Sequence, residues 1–140
     1  MKFLIAVDGS ATSARVVKHV ITLSTQQIAK PDIDLLFVDP PLLRAVAFEL
    51  GLAGTENYHQ GNAKYALKTA KQALSRAKLA FIEKMLVGDP AEQIIKHAKT
   101  AKCDVIVMGT RGHSALKGLL LGSVASKVIA HASVPVTVVR

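Results

Sequence analysis

Three glycines and a serine in the last third of the chain have types and spacing that could bind an anion. Two residues separate Gly109 from Gly112, and nine separate Gly112 from the pair Gly122-Ser123. The motif follows an apolar run, residues 104–108, and leads into a helical pattern. Glycine lets a ligand approach backbone N–H groups closely, and a Gly-Ser pair at a helix start adds unpaired N–H donors, a hydroxyl and the positive end of the helix dipole. A strand, a glycine loop and a helix N-terminus together predict a nucleotide site.

Other polar side chains lie where they could complete such a site. Arg111, His113 and Lys117 add positive charge within the glycine loop, and we expect at least one of them to contact phosphate. Asp8 directly follows the first apolar run, at the end of a strand where α/β proteins bind ligands. Its carboxylate could accept hydrogen bonds from an adenine amino group or from ribose hydroxyls. It could equally cap the first helix or hold a loop, and the residue alone leaves both interpretations open.

The sequence lacks the residues that several other classes of chemistry require. It has no Gly-x4-Gly-Lys-Ser/Thr P-loop, no Gly-x-Gly-x-x-Gly after the first strand and no Gly-x-Ser-x-Gly nucleophile elbow. No two of the five histidines have a metal-ligand spacing. Cys103 is the single cysteine, which excludes an intrachain disulfide and favours an ordinary buried thiol. No cluster of general acids or bases adjoins the glycine loop, so the sequence predicts binding rather than catalysis.

The composition is that of a basic domain rich in apolar residues. The 140 residues are half hydrophobic, enough for one substantial core, and we expect a single domain over residues 1–140. The net charge of +8 attracts anions, whereas nucleic acid is disfavoured because aromatic residues make up 4% and Trp is absent. No apolar run approaches the ~20 residues of a membrane span, and the first strand is too short for a signal-peptide core. We therefore expect a cytoplasmic protein.

Five apolar runs, typical of parallel strands buried on both faces, must position these residues. The predicted strands cover residues 3–7, 33–38, 80–87, 104–108 and 134–139. Helical patterns alternate with them: residues 12–28 with Ser10 or Thr12 as N-cap, a basic helix within 63–84, a helix capped by Asp89 and opened by Pro90, and residues 123–131. This alternation predicts an α/β fold, an open, doubly wound, five-stranded parallel sheet with helices on both faces.

One connection is unusually long for such a fold. Residues 39–62 run from Asp39-Pro40-Pro41 to Asn62. Within them, helical spacing predicts a short amphipathic helix that carries Leu42, Leu43, Val46, Ala47 and Leu50. Long connections in small domains usually act as lids, binding loops or partner surfaces. The residues leave three roles open: a cover for the ligand site, a contact with another subunit, or a variable surface insertion.

The sequence resembles the universal stress protein family along its whole length. Gly109-x2-Gly112-x9-Gly122-Ser123 is similar to the family's ATP-binding signature. Four further segments match: Val7-Asp8-Gly9-Ser10, Leu36-Phe37-Val38-Asp39, Val87-Gly88-Asp89-Pro90-Ala91 and Val134-Pro135-Val136-Thr137-Val138-Val139. The resemblance implies strand order 3-2-1-4-5 with ATP, with or without Mg²⁺, at the ends of strands 1 and 4. Because the signature glycines are all present, it implies an ATP-binding stress-response protein that acts as a nucleotide-dependent regulatory or binding module.

The resemblance also implies roles for individual residues. Asp8 and the main chain of Val38 would meet adenine, while Gly109 and Gly112 would approach ribose and phosphates. The pair Gly122-Ser123, with the next residue, would hold the phosphates. Some ATP-binding members carry Pro where this chain has Ala6. The predicted nucleotide-binding set is Ala6, Val7, Asp8, Val38, Met108, Gly109, Arg111, Gly112, His113, Gly122, Ser123 and Val124.

Two other functions remain alternatives at this stage. ATP with Mg²⁺ near Ser123 would permit a slow ATPase or phosphotransfer enzyme, although no residue to position water is evident. Gly9-Ser10-Ala11-Thr12 faintly resembles a flavodoxin phosphate loop, but aromatic residues to sandwich a flavin are lacking.

The final strand predicts a homodimer. In the strand order implied by the resemblance, it lies at the sheet edge. Its β-branched, uncharged residues offer an open template for another chain: Val134, Val136, Val138 and Val139. Two-fold symmetry would set this strand, residues 134–139, antiparallel to the same strand of a second copy.

Overall fold

One parallel sheet forms the centre of the molecule. A computed structural model describes residues 1–110 and 121–140. Its strands are β1 (Lys2–Ala6), β2 (Asp32–Asp39), β3 (Ile82–Val87), β4 (Val105–Gly109) and β5 (Val136–Val139). Their order across the sheet is β3-β2-β1-β4-β5, and every pair is parallel. The predicted α/β fold and strand order are confirmed. The direction of winding reverses between β1 and β4, where doubly wound sheets bind their ligands.

Helices cover both faces of this sheet. They are α1 (Ala11–Thr25), α2 (Arg44–Arg76), α3 (Pro90–Thr100) and α4 (Ser123–His131). Along β1 the side chains alternate between faces. Phe3 and Ile5 pack in the same cluster as α1 and α2, whereas Leu4 packs with α3 and α4. The two buried clusters hold the ends of the strands in fixed positions.

Polar residues begin the helices where the sequence predicts. Ser10 Oγ accepts a hydrogen bond from Ser13 N at 3.3 Å, so Ser10 rather than Thr12 caps α1. Asp89 Oδ1 accepts from Glu92 N at 3.0 Å, and Pro90 takes the first helical position of α3. These bonds satisfy N–H groups that have no partner inside a helix.

One predicted helix end is wrong. The sequence pattern predicts a first helix that continues to residue 28, but α1 ends at Thr25 and Ile28 is fully exposed. The basic helix is the second part of α2 and ends at Arg76, before the strand predicted from residue 80. Lys78 takes a left-handed conformation with φ 54°, and Leu79 N donates back to Leu74 O at 3.1 Å. This is a Schellman ending with Lys where Gly is usual, so no local signal announces it.

The long connection is mostly helical. Residues 39–62 contain the predicted short helix, which forms the first part of α2 and is separated from the rest of α2 by a kink at Gly51. Gly51 interrupts the helical backbone with φ 67° and ψ −178°, a conformation that side chains disfavour. Within the two described ranges, no helix combines the length and apolarity that crossing a bilayer requires.

Candidate functional site

A cavity of about 550 Å³ opens at the carboxyl ends of the central strands. Its walls come from the ends of β1, β2 and β4, from α2, and from the starts of α3 and α4. Nine of the predicted nucleotide-binding residues line it: Ala6, Val7, Asp8, Val38, Met108, Gly109, Gly122, Ser123 and Val124. The other three, Arg111, Gly112 and His113, lie outside the described residues, as does Lys117. The structure thus brings the nine together, and their role in binding stays a prediction.

The glycine–serine end of the cavity is built from backbone groups. Thr110, which is buried, donates its N–H to Val139 O at 2.9 Å and accepts from Gly122 N at 2.6 Å. These bonds fix the start of α4 beside the end of β4. Gly122 is the N-cap of α4 and has no side chain with which to cap it, unlike Ser10 and Asp89. The start of α4 therefore presents N–H groups and the positive end of its dipole to the cavity.

Asp8 holds the loop that joins β1 to α1. Its Oδ1 accepts from Ser10 N at 2.9 Å and from Ser13 Oγ at 2.7 Å. Its own N–H donates to Ser13 Oγ at 2.9 Å. These contacts agree with the interpretation that Asp8 holds a loop. Because Asp8 also lines the cavity, contact with adenine or ribose stays a prediction for the same side chain.

The glycine after Asp8 allows α2 to approach this loop. Gly9 has φ 82°, and a Cβ on it would lie 2.9 Å from Ala66 Cα. Both facts exclude a larger residue without a shift of the backbone. Gly9 thus keeps Asp8 and the buried Ala66 on adjoining walls of the cavity.

A buried acid–histidine pair beside the cavity was not predicted. Asp39 Oδ2 lies 2.7 Å from His59 Nδ1 and accepts from Asn62 Nδ2 at 2.9 Å. Asp39 and His59 are both buried, while Asp39 and Asn62 line the cavity. The available signal was the spacing of His59 from Ala63, which places this histidine on the buried stripe of α2. The pair joins the end of β2 to α2 and sets a carboxylate in the cavity wall.

A second acid–histidine pair lies toward the other end of β2. Asp34 Oδ2 is 2.8 Å from His97 Nε2 on α3. Lys2 Nζ forms an ion pair with Asp34 Oδ1 at 3.2 Å. None of these three residues lines the cavity. Asp34 precedes Asp39 by five positions along β2, a distance of about 16 Å in an extended strand, and this pair has a structural role away from the site.

The pKa values of Asp89 and Cys103 are shifted in the folded protein. The hydrogen bond from the Glu92 N–H is the largest cause that lowers the pKa of Asp89; partial desolvation opposes it, and Lys127 lowers it further. Burial is the main cause that raises the pKa of the Cys103 thiol. Cys103 is thus the buried, unreactive thiol expected from its place at a strand start. No group of three or more His, Cys, Asp or Glu side chains suited to a metal ion occurs in residues 1–110 and 121–140.

Comparisons with known proteins identify relatives over the full chain. A sequence model described as the universal stress protein family matches residues 1–140. Universal stress protein MJ0531 of Methanocaldococcus jannaschii is 33% identical over 139 residues, which span 99% of this chain and 81% of that protein. The solved structure of protein MJ0577 from the same organism has a TM-score of 0.84 at 31% identity, and the match covers 99% of this chain and 94% of that one.

A more distant structure carries a nucleotide. The universal stress protein of Archaeoglobus fulgidus, solved in complex with dAMP, has a TM-score of 0.70 at 22% identity. The match covers 100% of this chain and 98% of that one. At this identity the similarity concerns the fold.

Proposed function

The chain belongs to the universal stress protein family, and we propose that it is an ATP-binding module that regulates a stress response through nucleotide-dependent contacts. One observation carries the proposal: the uncapped start of α4 and the predicted residues at the ends of β1, β2 and β4 line a single cavity. Its volume of about 550 Å³ falls within the ~300–1,000 Å³ of small-molecule sites.

The two ends of the cavity suit the two ends of ATP. The phosphates would bind at Gly122, Ser123 and Val124, where backbone N–H groups and the helix dipole favour negative charge. The Ser123 hydroxyl would be available to Mg²⁺ carried with the phosphates. The base would lie toward β1 and β2, where Val38 offers an apolar wall and Asp8 a carboxylate. The Archaeoglobus fulgidus protein, which shares the fold, was solved with dAMP, and an adenine nucleotide is the ligand class that we propose for this cavity.

Binding to the purified protein tests this proposal. Mass spectrometry of nucleotide released from fresh protein should identify ATP, and calorimetry should give a micromolar dissociation constant, about −8 kcal/mol. Gly122→Val should abolish binding, because its branched side chain would occupy the space that phosphate needs. The fold should survive, since Gly122 has φ −77°, which other residues adopt.

The matched control for this test is Gly61→Val. Gly61 lies on α2, and a Cβ on it would meet no atom within 4 Å. This variant should bind ATP as the wild type does. A wild type without ATP binding would refute the proposal, and a Gly122→Val variant with unchanged affinity would refute the placement of the phosphates.

We also propose the homodimer that pairs β5 with itself. The confirmed strand order puts β5 at the sheet edge, and Val138 is exposed over 36% of its surface. An apolar edge strand is a template for pairing with a second chain, and a two-fold axis closes the assembly. The substitution Val138→Lys places a charge in that contact and should weaken it.

A further inference from the structure

The first part of α2 exposes an unusual amount of apolar surface. Within ten residues, five large apolar side chains have exposed fractions of 77%, 39%, 89%, 45% and 94%: Leu43, Val46, Phe48, Leu50 and Leu52. We call residues 43–52 the α2 arm. With ordinary residue areas, these five expose on the order of 700 Å², above the ~300–600 Å² of the largest apolar patch on a typical monomer.

The apolar side chains of the α2 arm do not lie on one side only. Leu43, Val46 and Leu50 follow helical spacing and share a face, whereas Phe48 lies on the opposite face. A helix that is apolar all round is normally buried. The rest of the described chain therefore does not supply a neighbour that covers the α2 arm.

The contacts at its base hold the α2 arm in a defined place. Thr55 Oγ1 donates to Ala47 O at 3.4 Å, across the turn at Gly51. Below the turn, His59 is fixed to the buried Asp39. Pro40 before the arm and Asn62 after it both line the cavity. The apolar patch is thus a structured surface on a segment whose two ends adjoin residues that line the proposed ATP site.

We propose that a second copy of this chain covers the α2 arm through its own α2 arm. Each partner in a standard protein interface buries ~800 Å². A contact with one face of the α2 arm would cover part of the apolar surface that these five side chains expose, and residues around the arm would supply the rest of such an interface. Charge supports self-association as well. Residues 41–62 carry Arg44 with Glu49 and Glu56, a net charge of −1 in a chain of +8. Two α2 arms can therefore meet without the mutual repulsion of a basic surface, and each offers both signs of charge to the other.

The same charges argue against a lipid surface. Helices that lie on membranes carry Lys and Arg on their polar face, which attract anionic headgroups. The α2 arm carries Arg44 and Glu49, one charge of each sign, and Glu56 follows it. A protein surface of the same composition, the second copy, fits it better.

This contact is separate from the one proposed for β5. The α2 arm follows β2, whereas β5 is the edge strand on the far side of β1 and β4. A chain with both contacts assembles beyond a dimer. The two surfaces can be disabled one at a time, so the two proposals fail independently.

Sedimentation of the purified protein over a dilution series tests the inference with four forms. They are the wild type, Val138→Lys, the double variant Phe48→Gln/Leu52→Gln, and the combination of all three changes. Phe48 and Leu52 are almost fully exposed and do not line the cavity, so the double variant should fold and bind ATP normally. Ile28→Gln removes an equally exposed side chain from outside the α2 arm and serves as the matched control.

We expect the Val138→Lys variant to self-associate still, and the added Phe48→Gln/Leu52→Gln change to weaken that association at least ~tenfold. The control Ile28→Gln should assemble as the wild type does. A Val138→Lys variant that is monomeric at every concentration would overturn the α2-arm contact, as would a double variant that assembles like the wild type. The last measurement is binding of the same variants to phosphatidylglycerol vesicles. Vesicle binding that disappears in the double variant, without self-association, would also overturn it.

Discussion

Replacing His59 by Leu should destabilise the domain and weaken ATP binding together. The substitution keeps a similar volume but removes the group that lies 2.7 Å from Asp39 Oδ2. It leaves a buried carboxylate with Asn62 Nδ2, at 2.9 Å, as its remaining side-chain partner among residues 1–110 and 121–140. Removing one member of a buried pair costs ~3–5 kcal/mol, and the bond from Asn62 puts this case at the lower end, about 3 kcal/mol.

That free energy converts into a measurable shift of the melting temperature. An unfolding entropy of ~2.1 cal/mol/K per residue gives roughly 0.3 kcal/mol/K for this chain, so a loss of about 3 kcal/mol lowers Tm by roughly 10 °C. Calorimetry measures the shift in Tm, and urea denaturation measures the loss in the free energy of unfolding. A double-mutant cycle with Asp39→Leu should give a coupling of ~0.5–3 kcal/mol, because the two residues are in direct contact.

The pair between Asp34 and His97 supplies the matched control. His97→Leu removes a similar partner at 2.8 Å from a buried aspartate that does not line the cavity. We expect both variants to lose stability but only His59→Leu to lose ATP affinity, since it alone loosens a carboxylate in the cavity wall. A cost below about 1 kcal/mol for His59→Leu, or equal losses of affinity in the two variants, would refute the reasoning.

Two further predictions concern the stability of the protein in acid and its rate of ATP hydrolysis. Because the pKa of Asp89 is lowered in the folded protein, its contribution to stability is present above its unfolded pKa and is lost as pH falls through the folded value. Asp89→Asn, which keeps a cap acceptor, should lose less stability than the wild type between about pH 5 and 2 in urea titrations, and identical pH profiles would contradict this. If the pure protein hydrolyses ATP, the rate should lie well below the ~1–10³ s⁻¹ of typical enzymes; turnover above about 1 s⁻¹ that Ser123→Ala abolishes would support the enzyme alternative instead.

The sequence predicted the elements whose signals are local. α4 begins at Ser123 and ends at His131 as expected, because a glycine precedes it and a strand with Pro135 follows. The start of α3 at Asp89-Pro90 was equally clear. The end of α2 was not, because Lys78 adopts a left-handed conformation that residue type does not announce. Tertiary contacts decide that ending: Leu79, the next residue, is buried in the core.

The candidate site also has a part that the sequence predicted and a part that it did not. The glycine–serine motif lies in one stretch of sequence, so its position at the cavity could be predicted from the strand before it and the helix after it. The contact between Asp39 and His59 joins residues 20 apart. It depends on how α2 crosses the sheet and on the turn at Gly51, neither of which periodicity reveals. The exposure of the α2 arm was hidden for the same reason, since amphipathic spacing does not tell which side of a helix has a neighbour.

The two hydrogen bonds of Thr110 link the site to the edge of the sheet. Its N–H is bonded to Val139 at the end of β5, and its carbonyl is bonded to Gly122 at the start of α4. If phosphate binding moves the start of α4, the movement would therefore reach the last residue of β5, the strand proposed to form the dimer, through the single residue Thr110. Linkage makes any such effect reciprocal: the factor by which ATP alters dimer affinity equals the factor by which dimerisation alters ATP affinity. Protein concentration and ATP concentration would then act as two inputs to one equilibrium.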